Sequence, residues 1–339
     1  MTELQKPIPT IFLSDDDVCA LSDWKSAITA LENAYSLTID HHMTPPRAVA
    51  RGPGVWLRSM TAISPSGKYM GNKLIAASPK NKCVSYLISL FDTSTTHLAA
   101  TIDGNHVTAF RTAATSALAV KFLTPNKALK IALIGSGFEA HGQLEAVLQI
   151  RQAELCKVFS PTEINRNKFV DGFKKNYPHL NISAVSSAKE AVIGSDLVIC
   201  AARSHDESPV IKGDWLRPGM MIVSIGSTLP EQREVDSMVI DKSDLIVADM
   251  PDEITLDTGD MIVASKEGVQ FADKLISLSD VVSKKYKVDH FDQKILLFKS
   301  VGSALQDIVV AEMLYEKATQ NLIGLAMPDS IQPVLKWNK

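Results

Sequence analysis

The chain has 339 residues, of which 45% are hydrophobic, 22% charged and 6% aromatic, with a formal net charge of −3. That length allows about two domains of roughly 150 residues, each with its own core, and the apolar content excludes extended disorder. With 35 basic against 38 acidic residues there is no positive field for nucleic acid or an anionic membrane, and no apolar run approaches the ~18 residues of a span.

In chain order, the sequence predicts a short strand over residues 8–13. A helical region follows that Asp15, Asp16 and Asp17 can cap, with Trp24, Ile28, Leu31 and Tyr35 at helical spacing. Between residues 44 and 103, short apolar runs such as 55–57 and 84–91 alternate with turn clusters: Thr44-Pro45-Pro46, Gly52-Pro53-Gly54, Ser64-Pro65-Ser66-Gly67 and Ser78-Pro79-Lys80-Asn81. That rhythm predicts an antiparallel meander. Residues 112–122 are alanine-rich and predict a helix that Arg111 opens. From Lys130 onward, strands at 131–134, 155–159, 181–184, 197–201, 220–225 and 245–248 alternate with helices at 140–150, 163–176 and 187–193. Such alternation implies βαβ crossovers and a parallel sheet. A last helix over 300–320, apolar at Leu305, Ile308, Val309, Met313 and Leu314, could return to either part.

Gly135-Ser136-Gly137-Phe138-Glu139-Ala140 keeps the spacing G-x-G-x-x-A directly after a strand and before a helix. The first glycine permits a tight turn and the second a close approach of pyrophosphate. Ala140 allows close helix–strand packing, and the helix N-terminus attracts phosphate charge. A dinucleotide is the ligand this context predicts. An NAD site normally ends its second strand with Asp or Glu for the ribose 2′-hydroxyl. Here Phe159-Ser160-Pro161-Thr162 ends that strand, and Arg166 follows. A small hydroxyl with an arginine suits a 2′-phosphate, so NADP(H) is favoured, with NAD(H) the alternative.

A second constellation is Arg47, Arg58, Lys73 and Arg111. Guanidinium groups bind carboxylates bidentately, and a lysine beside them can act as acid, base or nucleophile. Other residue types carry less. His41-His42 reads as a solvated helix end, and His106, His141 and His205 are isolated, without metal spacing. His141 follows the glycine loop and could face the cofactor. The acid-rich stretch 249–260 reads as a charged solvated loop. Cys19, Cys83, Cys156 and Cys200 form no C-x-x-C pair, which argues against a disulfide framework or structural zinc and for a reducing compartment. No apolar leader occurs in residues 1–7, and the expected location is cytoplasmic.

Gly71-Asn72-Lys73 through Pro79-Lys80-Asn81, Asp103-Gly104, and Arg111-Thr112-Ala113-Ala114-Thr115-Ser116-Ala117-Leu118-Ala119 resemble the ornithine cyclodeaminase/mu-crystallin family. So do the glycine loop, Gly226-Ser227-Thr228-Leu229-Pro230 with Glu234-Val235-Asp236, and Phe298 through Asp307. The resemblance runs in family order from about Pro46 to Gln320. It implies a Rossmann-type doubly wound parallel sheet (118–310) inserted in an α+β substrate and dimerisation domain (1–117 plus 311–339), and a homodimer. It implies that Arg47, Lys73 and Arg111 gather around a substrate carboxylate; Arg58 matches no motif position and stays a secondary candidate. Cofactor contacts are expected at Gly135 to Ala140, Ser160, Thr162, Arg166, Ala201, Ala202, Gly226, Ser300, Val301 and Gly302.

One departure sets the expected chemistry. True ornithine cyclodeaminases carry an aspartate acid/base where this chain has Thr228, and a hydroxyl cannot serve as a carboxylate base near neutral pH. Ketimine reductases of the family also lack that aspartate. The expected function is therefore NAD(P)H-dependent reduction of a ketimine or cyclic imine carboxylate, or amino-acid dehydrogenation in reverse. Lys73 would supply the proton, with Thr228 or a water assisting. Two alternatives are an ornithine cyclodeaminase-type ammonia-lyase with recycled NAD, and a non-catalytic NADP-dependent binder of a small ligand. Glu139 is a second departure, since the family often has glutamine there.

Overall fold

The computed structural model describes residues 9–204 and 206–327, together with 331, 333 and 334. His205 and the first residue of the strand expected at 8–13 lie outside them. The chain divides into two units, Met1–Arg111 with Ser303–Lys339, and Thr112–Gly302. The sequence places the breaks at 117/118 and 310/311. The units part at 111/112, inside a helix, and at 302/303, just ahead of one.

The strands, in chain order, are β1 (Ile11–Leu13), β2 (Ala48–Gly52), β3 (Val55–Ile63), β4 (Tyr69–Ser78), β5 (Cys83–Asp92), β6 (Leu98–Asp103), β7 (Leu129–Ile134), β8 (Ala153–Phe159), β9 (Ile182–Ala184), β10 (Leu197–Cys200), β11 (Met221–Ser224), β12 (Leu245–Ala248), β13 (Leu275–Ser277), β14 (Leu296–Lys299) and β15 (Leu325–Ala326).

In the first unit the sheet order is β15-β1-β6-β5-β4-β3-β2. Strands β2 to β6 form the expected antiparallel meander, and β1 joins β6 in parallel. Side chains alternate across a strand, so Met60, Lys73 and Ile88, which stand opposite one another on β3, β4 and β5, share one face. The helix Ala304–Asn321 packs against these three strands and against the helix Trp24–Ser36. The last helix thus belongs with the N-terminal elements. It is started by a reciprocal cap, Ser303 with Gln306. At the other end of the unit Ser14, rather than the aspartates, is the cap residue, with Asp17 completing the box.

The alanine-rich helix runs over Gly104–Leu123, eight residues longer at its start than the sequence predicts, so Arg111 stands in its third turn and does not open it. The Asp103 carboxylate accepts the Asn105 amide at 2.9 Å, and Val107 and Phe110 are buried. Capping and packing outweigh the poor helix propensity of Gly104-Asn105-His106.

In the second unit the order is β13-β12-β14-β11-β10-β7-β8-β9, with all pairs parallel. The strand order reverses beside β7, where β8 and β10 flank it. In such sheets ligands bind at the carboxyl ends of the strands near that switch point. Two strands escape the sequence reading, β13 and β14. Each is short, and β14 enters the middle of the sheet between β11 and β12. The stretch 249–260 is not a solvated loop. It forms the helix Pro251–Asp257 and enters the helix Gly259–Lys266, with Asp249, Glu253 and Asp260 buried.

Close packing of the first unit's sheet on its helix requires glycine at position 71. A Cβ there would run into the Ser89 carbonyl and press on Ile308. Gly71→Ala should cost about 1–3 kcal/mol or more, the scale of overpacking. Gly172→Ala, in the helix Glu163–Asn176 where a Cβ meets nothing within 4 Å, should gain about 0.8–1 kcal/mol. Urea melts of both variants check the opposite signs.

Candidate active site

At the end of β7 the chain turns on Gly135, whose φ of +123° disfavours any other residue. A Cβ on it would stand 2.6 Å from the Ala201 carbonyl at the end of β10. Gly137 is the cap residue of the helix Phe138–Leu148 and offers no side chain to its amides, and a Cβ there would meet nothing within 4 Å. The buried Ala140 fills the space between helix and turn, and Phe138 and Glu139 are exposed in the first turn. The helix N-terminus is thus open to an anion at the switch point of the sheet.

Ser160, at the tip of β8, accepts a hydrogen bond from the Ser136 hydroxyl at 2.8 Å. The Arg166 guanidinium, mostly buried, donates to the Ser160 carbonyl at 3.0 Å and to the Pro161 carbonyl at 3.3 Å. It is therefore fixed at the strand tip instead of trailing in solvent. Thr162 caps the following helix with its backbone only. Ala201 and Ala202 follow β10, Gly226 follows β11, and Ser300, Val301 and Gly302 follow β14. All stand at the carboxyl ends of parallel strands, so the expected cofactor residues share one edge of the sheet. The Asp249 carboxylate, after β12, holds the last three: it accepts the Ser300 hydroxyl at 2.6 Å and the Val301 and Gly302 amides at 3.1 and 2.9 Å. The open glycine turn and this ring of backbone suit a dinucleotide.

In the first unit, Lys73 on β4 is wholly buried. Its Nζ lies 2.9 Å from Oδ1 of Asp307, which is equally buried in the first turn of the Ala304–Asn321 helix. Arg111 donates its Nε to the same oxygen at 3.0 Å and its Nη1 to Gln306 Oε1 at 2.7 Å. Gln306 in turn donates to the Tyr35 hydroxyl at 3.1 Å. Burial pushes the Lys73 ammonium down to about 8; Asp307 opposes the shift, and the charges of Arg111 and Arg58 add to it. Lys73 also stands 5.4 Å from the Tyr86 ring. Two cations share one carboxylate oxygen here, with a third, Arg58, near enough to act on Lys73, and this positive cluster suits an anionic ligand.

The other expected residues sort by unit. Arg58, on β3, lies on the face that carries Lys73, with its guanidinium 5.2 Å from the Trp56 ring. Arg47 is half-buried just ahead of β2. Thr228 is half-buried in the turn after β11, where its amide and hydroxyl both bond Gln232 Oε1, at 3.0 and 3.2 Å. His141 does not stand apart: it packs on Phe173 at 4.7 Å and reaches Glu145 at 3.7 Å. His106 approaches the Cys19 thiol at 3.2 Å. Asp40, His41 and His42 form a solvent-exposed group whose ligand atoms all lie within 4.8 Å of one another. Asp307, Gln306 and Tyr35 are not expected from sequence as site residues; Tyr35 stands only as part of a helical pattern. The signal available was Gln306-Asp307 closing the family-like segment at a helix start, where a buried carboxylate needs a cation.

A chain with a doubly wound sheet carrying this turn in one unit and a dry ammonium–guanidinium–carboxylate cluster in the other has the parts of an NAD(P)-dependent oxidoreductase acting on C=N bonds. The chain belongs to the ornithine cyclodeaminase/mu-crystallin family, whose model matches residues 9–321. It is 31% identical over 274 residues to the ketimine reductase mu-crystallin of Macropus fuliginosus, covering 79% of this chain and 82% of that one. The structure of Thermococcus litoralis Δ1-pyrroline-2-carboxylate reductase in complex with NADH and L-proline superposes with a TM-score of 0.85 at 29% identity, covering 94% of this chain and all of that one. An archaeal alanine dehydrogenase dimer with bound NAD superposes with a TM-score of 0.84 at 26% identity, covering 94% and 98%.

Removing the Asp307 carboxylate takes away the acceptor that the buried Lys73 and Arg111 share. Asp307→Asn should cost about 3–5 kcal/mol in denaturant unfolding, the price of an uncompensated buried charge. The double variant Lys73→Met/Asp307→Leu should lose less than Asp307→Asn alone.

Proposed function

We propose that the protein reduces the C=N bond of a ketimine carboxylate, cyclic or linear, and runs in reverse as an amino-acid dehydrogenase. The observation that carries it is the Lys73–Asp307–Arg111 cluster: an ammonium that gives up its proton near neutral pH, beside a guanidinium suited to a carboxylate. Arg111, with Arg47 and Arg58, binds the substrate carboxylate. The dinucleotide, when bound, supplies the hydride for the imine carbon. Lys73 Nζ delivers the proton to nitrogen, and Asp307 holds that amine in place. Thr228 orients a water or the cofactor. With no carboxylate at position 228, an acid/base for cyclodeamination is missing from that turn, which favours reduction. The relatives supporting this reading are named for ketimine and Δ1-pyrroline-2-carboxylate reduction. The direct test is an NADPH-oxidation screen over Δ1-pyrroline-2-carboxylate, larger cyclic imine carboxylates, and 2-oxo acids mixed with amines. Tight binding of these compounds without turnover would mark a binding protein.

Lys73 must carry its proton for reduction. Its folded value of about 8 in the free protein makes reductive kcat/KM fall tenfold per unit as the pH rises above about 8, while oxidative kcat/KM gains as the pH rises toward that value. Lys73→Met should lower kcat by about 10²–10⁴ and erase that limb. Arg111→Lys keeps the charge but not the fork, and should act chiefly on KM. Steady-state pH profiles in both directions check these outcomes.

Ser160 and Arg166 support NADPH as the preferred cofactor. Losing the 2′-phosphate contact should cost about 1.5–3 kcal/mol. Ser160→Asp should reverse the preference by repelling the phosphate. Calorimetric titration with NADPH and NADH decides it; equal affinities in the parent protein would refute the assignment.

The partner we propose is a second copy. Val55, Leu57 and Val84 are exposed on β3 and β5, beside a groove of about 690 Å³ lined by Ala50, Trp56, Ala77 and their neighbours. Exposed apolar surface of this kind marks an interaction face, and the archaeal alanine dehydrogenase is described as a dimer. Light scattering should give twice the 36.9 kDa of one chain, and Leu57→Glu should reduce it to one. Four free cysteines suit the cytoplasm as its location. Among the described residues no helix is long and apolar enough to cross a membrane.

A further inference from the structure

The second unit contains a buried charge cluster that the reduction chemistry leaves unused. Lys299, at the end of β14, is wholly buried, as are Asp260 and Glu234. Its ammonium lies 2.9 Å from Asp260 Oδ2, donates to the Ser224 hydroxyl at 2.9 Å and donates to the Ser227 carbonyl at 3.3 Å. Two of its donors thus enter hydrogen bonds, and the Asp260 contact is an ion pair. Ser224 passes its own proton to Glu234 Oε2 at 2.6 Å. Asp260 Oδ1 accepts the Glu234 and Val235 amides at 2.9 and 3.2 Å, which pins the backbone under the carboxylate. The Gly226 amide faces that same carboxylate, and a Cβ at Gly226 would collide with it.

Two members of this cluster, both braced by Asp260, reach one turn, Gly226-Ser227-Thr228. Lys299 holds its carbonyl and Glu234 fits against its glycine. A buried ammonium with two carboxylates is a poor stabiliser, since apolar residues of similar volume would serve the core as well or better. Its geometry is explained by what it positions.

We propose that Glu234 is a positioning residue which, with Lys299 and Asp260, sets the placement of the Gly226–Thr228 turn. The proposal rests on the reductase reading for the turn's use in catalysis, but not for its placement.

The groups that face Glu234 are Lys299 from β14, Asp260 from the Gly259–Lys266 helix, Ser224 from β11, the Cys200 thiol from β10 and the Gly226 amide; Arg203 packs by its aliphatic stem on Gly226. One ammonium between two carboxylates balances one of them. Burial raises the Glu234 carboxyl to about 7, against the pull of Lys299, Ser224 and the Gly226 amide, with Asp260 adding to the rise. The folded protein thus holds this proton more tightly than the unfolded chain. The contribution favours folding at low pH and is lost as the pH rises through about 7. Above that value a second anion sits under the turn and loosens it.

Hydrogen–deuterium exchange on the full-length protein without ligand, at pH 6 and pH 8 and corrected for intrinsic rates, reads the turn directly. The parent peptide spanning Gly226–Thr228 should lose protection at least threefold at pH 8. Glu234→Gln, near-isosteric and uncharged, should keep its protection at both values and flatten the pH dependence of Tm. On the best imine found, Glu234→Ala should lower kcat at least tenfold with less effect on KM, and Glu234→Gln should restore it. Unchanged protection in the parent at both pH values, or a Glu234→Gln variant that retains the parent's loss, overturns the inference. A Tm change without any change in turn protection also overturns it, since that is a structural role alone. If the exchange result holds and no imine is turned over, the reductase reading falls and the positioning role stands.

Discussion

Lys73, Arg111 and Asp307 come from three distant stretches of chain and must meet where there is almost no water. Two cations of the same sign can share a dry site only if a carboxylate lies between them, and both donate to one oxygen of Asp307. That requirement constrains the topology of the first unit. Asp307 must arrive on a helix packed across β3, β4 and β5, so the chain has to return after leaving at Arg111. Gly71 lets that helix approach the strand that carries Lys73, and the Ser303–Gln306 cap fixes the first turn that holds Asp307. Packing, capping and electrostatics in this unit serve a single contact.

The second unit solves a different problem with similar means. A parallel sheet presents its strand ends as loops, and loops drift unless something ties them. Asp249 ties Ser300 to Gly302, and Lys299 ties the turn after β11. Gly135 lets β7 turn against β10 without a side chain in the way. The buried acids that do this tying come from the stretch richest in carboxylates, where solvation would be the default for each residue taken singly.

Fold class was legible in the sequence because it follows from period and punctuation. Proline and glycine clusters mark the meander, and apolar runs at βα spacing mark the parallel sheet. The glycine turn could be placed to the residue, since its strand and helix flank it. The burial of Asp260 and Glu234 could not be read, because a carboxylate's partner is a tertiary fact. Lys299 is 39 residues beyond Asp260, and nothing local links them. Strand β14 was hidden for a related reason: a four-residue strand gains its definition from neighbours on both sides. The early start of the Gly104–Leu123 helix was also invisible locally, since Gly104 and Asn105 are poor helix formers that packing overrides.

The charge balance of the first unit links binding to proton transfer. Before substrate arrives, the like charges of Arg111 and Arg58 act with burial, and against Asp307, to hold Lys73 below its ordinary range. A substrate carboxylate bound by the arginines, as proposed, would bring a further anion to the site. At a separation of about 5 Å and an effective dielectric of about 20, its attraction for the ammonium is about 3 kcal/mol, or roughly two pK units. The same contact that binds the substrate would thus return Lys73 toward the value of a free lysine and keep it protonated as an imine arrives. Without substrate the site would shed that proton more readily. In the proposed mechanism the arginines would then be more than a grip: by recruiting an anion they would charge the acid, and an uncharged analogue of the same shape would lack the means to do so.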